Sequence, residues 1–129
     1  MTPEDAYTLH LNRRSSTSIS LCGRYGGRER HNIPFGGATL FDLADLPMVE
    51  VEGRYDMLRV YLPRRRMISV AESMARRSDV RLRLPKPGFD DCIIRNLLNI
   101  INVAFDNPER TSQLFIDEIS VLLMSHLIQ

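Results

Sequence analysis

The sequence predicts an α+β domain, an antiparallel sheet first and helices last, and three observations carry that prediction. Apolar residues recur at every second position in segments between Tyr7 and Leu62. After Pro63 the period becomes 3.6 residues. Glycine and proline cluster between the segments rather than inside them. A sheet part over 1–63 and a helical part over 64–129 segregate as they do when helices pack beside one antiparallel sheet. With 129 residues the chain is expected to form one domain, long enough to bury a core without disulfides or a structural metal.

Tyr7, Leu9 and Leu11 alternate with Thr8, His10 and Asn12. Ile19 and Leu21 alternate with Ser18, Ser20 and Cys22, so both segments read as half-buried antiparallel strands, expected as neighbours. Gly23, Gly26 and Gly27, then Pro34, Gly36 and Gly37, punctuate hairpins and corners. A further strand is expected over Ala38 to Leu43 and another over Met48 to Glu52. The clearest runs from Asp56 to Leu62, with Leu58, Val60 and Leu62 on one face and Met57, Arg59 and Tyr61 on the other. Gly53 sits at the turn between these last two.

Met67, Ile68, Val70, Ala71, Met74 and Ala75 outline a short first helix, bracketed by Arg64 to Arg66 and by Arg76 and Arg77. A polar connection with Pro85, Pro87 and Gly88 follows. Asp90 and Asp91 then open a second helix, where carboxylates satisfy free N–H groups and the helix dipole. Its apolar face is wide: Ile93, Ile94, Leu97, Leu98, Ile100, Ile101, Ala104 and Phe105. Asn107 and Pro108 end it and start the third helix.

That third helix, Thr111 to Gln129, has two apolar faces. Phe115, Ile116, Ile119, Leu122, Leu123 and Leu127 form a broad stripe suited to the domain's own core. Leu114, Val121 and Ile128 lie seven apart, with Met124 beside them, the spacing of a helix–helix seam. These four residues are the expected dimer interface, and a homodimer through the C-terminal helix is the expected assembly.

A net charge of +1 excludes the global basic field that nucleic-acid binding domains usually carry. The charge is uneven, however, at +5 over residues 1–86 and −4 over 87–129. Two cysteines without CxxC spacing fit a reduced, cytoplasmic protein. The start Met-Thr-Pro-Glu-Asp lacks the pattern of a signal peptide, and no apolar run approaches a membrane span.

Catalytic chemistry finds little support. His10, His31 and His126 are isolated, with no HxH or HExxH, so no metal site is expected. Cys22 and Cys92 read as buried small hydrophobes, although Cys92 falls in the first turn of the second helix, where the dipole lowers a thiol pKa. Gly-Arg-Tyr-Gly-Gly, from Gly23 to Gly27, is not followed by Gly-Lys-Ser/Thr and reads as a hairpin turn rather than a phosphate loop. Arg64 to Arg66, Arg76, Arg77, Arg81 and Arg83 flank a helix without interleaved aromatic residues and read as a solvated edge.

Gly37-Ala-Thr-Leu-Phe-Asp-Leu43 and Asp56-Met-Leu-Arg-Val-Tyr-Leu-Pro-Arg-Arg-Arg-Met67 resemble a strand, strand and helix-start segment of the N-terminal sensor domain of AraC-type transcriptional regulators. Arg95-Asn-Leu-Leu98, Asn107-Pro-Glu-Arg110, Leu114-Phe-Ile-Asp-Glu-Ile119 and Ser125-His-Leu127 are similar to the paired helices that close that domain. Tyr55-Asp56 departs from the Phe-Asp of the family pattern. The resemblance implies a partial cupin-like, jelly-roll type of barrel that encloses a pocket for a small-molecule effector, followed by three helices used for dimerisation. It implies neither catalytic residues nor a cofactor, and assigns no ligand-binding residue. In such regulators two helix-turn-helix units follow; none lies in this sequence, so this chain alone is expected not to bind DNA specifically. Two other readings stay open: a small cupin-like metal-binding protein or enzyme, and a stand-alone partner or antagonist of a full-length regulator.

In a mobility-shift titration at moderate salt the chain should show no sequence-selective binding to duplex DNA tighter than about micromolar, the range where non-specific contacts end. A selective complex below that range would refute the expectation.

Overall fold

Alternation in the first half builds six strands among the described residues: β1 (Ala6–Asn12), β2 (Ser16–Cys22), β3 (Arg28–Pro34), β4 (Ala38–Asp42), β5 (Met48–Glu52) and β6 (Met57–Pro63). Three helices follow: α1 (Arg64–Ser73), α2 (Cys92–Asp106) and α3 (Gln113–Ile128). The structure, a computed structural model, describes residues 4–14, 16–22, 27–74 and 82–128. The α+β order is the one expected. Gly23, Gly26, Ala75, Arg76, Arg77, Arg81 and Gln129 lie outside the described residues.

The strands make two three-stranded antiparallel sheets that do not close into a barrel, β4-β1-β6 and β3-β2-β5. In the first sheet Leu9 stands opposite Leu40 and Val60, and Leu11 opposite Ala38 and Leu58. In the second, Ile19 stands opposite His31 and Val51. β1 and β2 were expected as neighbours, yet they belong to different sheets. The reason lies at Asn12, which is buried and whose Nδ2 donates to the carbonyls of Ile33 (2.8 Å) and Pro34 (3.1 Å) while its Oδ1 accepts from the Arg14 amide (3.0 Å). These bonds carry the chain across to the second sheet rather than back along the first. Likewise Gly53, with φ 75°, turns the chain from β5 in one sheet to β6 in the other instead of closing a hairpin.

β3 is a strand that the periodicity does not reveal. Arg28-Glu-Arg-His-Asn is almost wholly polar, and of the seven residues only Ile33 is buried. Pairing with β2 forms it, and Arg28 and Arg30 reach across β2 to Glu50 and Glu52 of β5. Ser20, between them in the register, is buried as a result. β4 stops at Asp42, one residue earlier than expected, because the Asp42 carboxylate accepts from the Ala44 amide and starts a 3-10 turn over Leu43–Asp45.

One face of the first sheet carries the helices. Tyr7, Leu9, Leu11, Ala38, Leu40, Leu58 and Leu62 pack with Met67, Val70 and Ala71 of α1, Ile94, Leu98 and Ile101 of α2, and Ile119, Leu123 and Met124 of α3. Asp91 caps α2, its Oδ1 accepting from the amides of Ile93 and Ile94. The apolar face of α2 is narrower than the sequence pattern: Ile93, Ile100 and Phe105 are exposed.

α3 is rotated from its expected setting. Leu123 and Met124 are 0 % and 1 % exposed, whereas Leu122 is 53 % exposed and Phe115 is exposed as well. Met124 therefore belongs to the core and not to the seam, and Phe115 and Leu122 do not belong to the core. Ile128 is half-buried against the core, which leaves Leu114 and Val121 as the exposed pair of the expected seam. α3 packs against both α1 and α2, and the side it turns to that pair carries Ile119, Leu123 and Met124 rather than Phe115 and Leu122. On a helix that is apolar nearly all round, tertiary contact decides the setting.

Leu123→Asp should unfold the domain, because an unpaired carboxylate in that core costs several kcal/mol against about 1 kcal/mol for an ordinary substitution. Leu122→Asp, one position away, should leave the far-ultraviolet circular dichroism and the unfolding midpoint within a small shift of wild type. Equal damage from both would contradict this setting of α3.

Candidate functional site

The inner face of the first sheet looks toward the second. Alternation puts Thr8, His10 and Asn12 of β1 there, and the register aligns Thr8 with Phe41 and Tyr61, and His10 with Thr39 and Arg59. Ile19, Val49 and Val51 approach from the opposite sheet. The packing between sheets is thin: Ile19, Ile33 and Phe41 are its buried residues, with Leu21 and Val51 beside them. Interiors ordinarily fill such space. Here a cleft remains.

Its inner chamber, about 140 Å³, is bounded by His10, Ile19, Phe41, Val51, Met57 and Arg59. An outer hollow of about 530 Å³ shares His10, Phe41, Val49 and Arg59 and opens past Glu4, Thr8 and Tyr61. On the other side of Phe41 lies a third hollow of about 510 Å³, walled by Leu21, Met48 and the 84–87 segment. That segment is held to the edge of β4, where Gly88 donates to the Ala38 carbonyl and Ala38 to that of Phe89. Gly88 has φ 80°, and a Cβ on it would meet the Asn32 carbonyl oxygen at 3.2 Å.

His10 stacks edge-on against Phe41, ring centroids 4.9 Å apart, and among the described residues makes no hydrogen bond. Burial, and then the neighbouring Arg59 guanidinium, lower its pKa from 6.5 to about 4. The imidazole is neutral near pH 7. Arg59 donates to the Tyr55 hydroxyl at 3.3 Å and forms no ion pair with a carboxylate among the described residues. At the outer end, the Tyr61 hydroxyl donating to the Glu4 carboxylate raises the phenol above its ordinary value.

No family model, curated protein or solved structure matches the chain. Among the described residues no three His, Cys, Asp or Glu side chains gather to hold a metal ion, and no helix is long and apolar enough to cross a membrane. The histidines stay apart, with His31 beside Glu29 at 3.2 Å and His126 bonded to Asp91 at 2.9 Å. Cys22 is half-buried in the wall of the third hollow, and Cys92, expected as buried, is exposed because the opening turn of α2 points it outward while Ile94 points in.

Arg64 also departs from expectation. Instead of joining a solvated edge with Arg65, Arg66 and Arg83, it bonds Asp5 at 2.6 Å, reaches Asp42 at 3.5 Å and lies 4.8 Å over the Tyr7 ring. It ties the start of α1 to β1 and to the end of β4.

A second surface lies on the helices. Leu114, Phe115, Val121 and Leu122 line one exposed side of α3, and Ile100 and Val103 an exposed side of α2. A hollow of about 790 Å³ between them is lined by Ile100, Val103 and Phe115 among Asn96, Asn99 and Asn107.

The His10 displacement makes stability fall with acid. Its folded pKa lies below the unfolded value, so the unfolded chain takes up a proton first, and stability is lost as pH falls from 6.5 toward about 4. The loss from this residue should be at most about 3.5 kcal/mol at 1.4 kcal/mol per pKa unit. Urea unfolding of wild type and His10→Gln across that range should show a flatter profile for the variant, and the His10 ring proton should titrate near pH 4 by NMR. Parallel profiles would show that His10 is not held neutral.

Proposed function

We propose that the chain is the effector-sensing and dimerisation module of a bacterial AraC-type transcriptional regulator, without catalytic activity. The observation that supports this best is that one sheet serves two purposes. The inner face of β4-β1-β6 lines the cleft, and its outer face carries the helices. β6 runs without interruption into α1, and α1 packs on α3. A ligand that favours one spacing of the sheets acts on the sheet supporting the helices, and only such differential affinity can shift an equilibrium between arrangements. The exposed apolar side of α2 and α3 is suited to a second copy of the chain, a contiguous apolar patch being the usual mark of an association surface.

The seam differs from the one the heptad spacing gives. Leu114 and Val121 remain in it, Phe115, Leu122, Ile100 and Val103 join it, and Met124 and Ile128 leave it.

Val121→Asp together with Leu122→Asp should keep the fold by circular dichroism while weakening the dimer by about tenfold or more in sedimentation, since like charges would face each other across the seam. Fused ahead of a DNA-binding domain that acts only as a dimer, the wild-type chain should drive a reporter and the double variant should not. A wild type that is monomeric at every concentration and silent in the fusion would defeat the proposal.

A further inference from the structure

We infer that the cleft between the sheets takes a small monocarboxylate carried on one aromatic or branched apolar group, with Arg59 as the counter-ion. This rests on the reading of the cleft as an effector site and adds the chemical class of the effector.

Volume sets the apolar part. The inner chamber, about 140 Å³, is close to the roughly 150 Å³ of an apolar cavity that takes up benzene. Ile19, Val49, Val51, Phe41 and Met57 surround it, so one ring fits and a larger body would have to extend past Tyr61 into the outer hollow. Charge sets the polar part. Arg13, Arg28, Arg30, Arg64 and Arg95 each hold a carboxylate of the protein. Among the described residues Arg59, like Arg54, Arg65 and Arg66, does not, and it lines both the chamber and the hollow outside it. Its planar fork matches a carboxylate, which can accept two parallel N–H bonds from it.

His10 adds direction. It stands opposite Arg59 in the register, lines the same two spaces, and has ring nitrogens unused by the described residues. Neutral, it can donate one N–H to a carboxylate oxygen without bringing a second cation. A dianion is disfavoured, because among the described residues Arg59 is the only Lys or Arg lining either space and Glu4 borders the outer one. The favoured ligand thus carries one negative charge.

The test is titration of the whole chain with phenylacetate and with its neutral isostere phenylacetamide near pH 7, read by the His10 NMR signals and by calorimetry. Phenylacetate should bind about tenfold or more tighter than the amide, about 1.4 kcal/mol, and should shift the His10 signals. Arg59→Gln should lower phenylacetate affinity by about tenfold or more, with Arg59→Lys between the two, while the unfolding midpoint of each unliganded variant stays near wild type, as fits an exposed side chain. Equal binding of acid and amide, undiminished binding to Arg59→Gln, or no binding of phenylacetate would each overturn the inference. The fusion reporter and the sedimentation of wild type test dimerisation without the ligand, so a failed titration beside an intact dimer removes the ligand class alone, whereas a monomeric, silent wild type removes the module reading.

Discussion

Asn12 is the joint on which both halves of the sheet structure depend. A buried amide is costly unless all of its groups are bonded, and here its two N–H bonds go to β3 and its oxygen to the turn beyond β1. The backbone around it is equally committed, the Asn12 amide donating to the Gly37 carbonyl and its carbonyl accepting from Gly36. One residue therefore fixes the end of β1, the end of β3 and the corner before β4. A residue of similar size without the amide would remove the side-chain bonds to the Ile33 carbonyl and the Arg14 amide, leaving the Pro34 carbonyl with its bond from the Gly37 amide.

From that joint follows the unequal filling of the two sides of β1. Odd-numbered residues Tyr7, Leu9 and Leu11 enter a continuous core with all three helices, and even-numbered Thr8 and His10 face a space that the opposite sheet only partly fills. Stability resides on the helix side. The side facing β2 and β5 gives up dispersion contacts. Arg13 adds to the rigidity, bonding Asp56 at the start of β6 and Asn102 of α2 from the link beyond β1.

Much of this was legible in the sequence. The alternation of Asp56–Leu62 placed Leu58 and Leu62 in the core and Arg59 and Tyr61 away from it, and Asp91 was identifiable as a cap. β3 was not legible, because a strand covered by Arg–Glu pairs carries no apolar alternation. The setting of α3 was not legible either, since Leu122 and Leu123 are interchangeable to a periodicity argument and only the positions of α1 and α2 separate them. The cleft was hidden for a different reason. Filled and unfilled space share one composition, and the pairing of His10 with Arg59 arises from strands 49 residues apart whose register no local pattern encodes. A lone histidine next to a strand of cleft-facing residues was the only sign, and it is a weak one.

The Asp91 carboxylate joins two helix ends. One oxygen caps the first turn of α2, and the other meets His126 in the last turn of α3. Burial works against its charge, but His126 and the amides of Ile94 and Ile93 hold its pKa below the usual carboxylate range. Fraying at the end of α3 must then loosen the opening turn of α2, so that the two ends open as one cooperative unit and the exchange of the Ile93 and Ile94 amides with deuterium reports on a helix terminus more than thirty residues away in the chain.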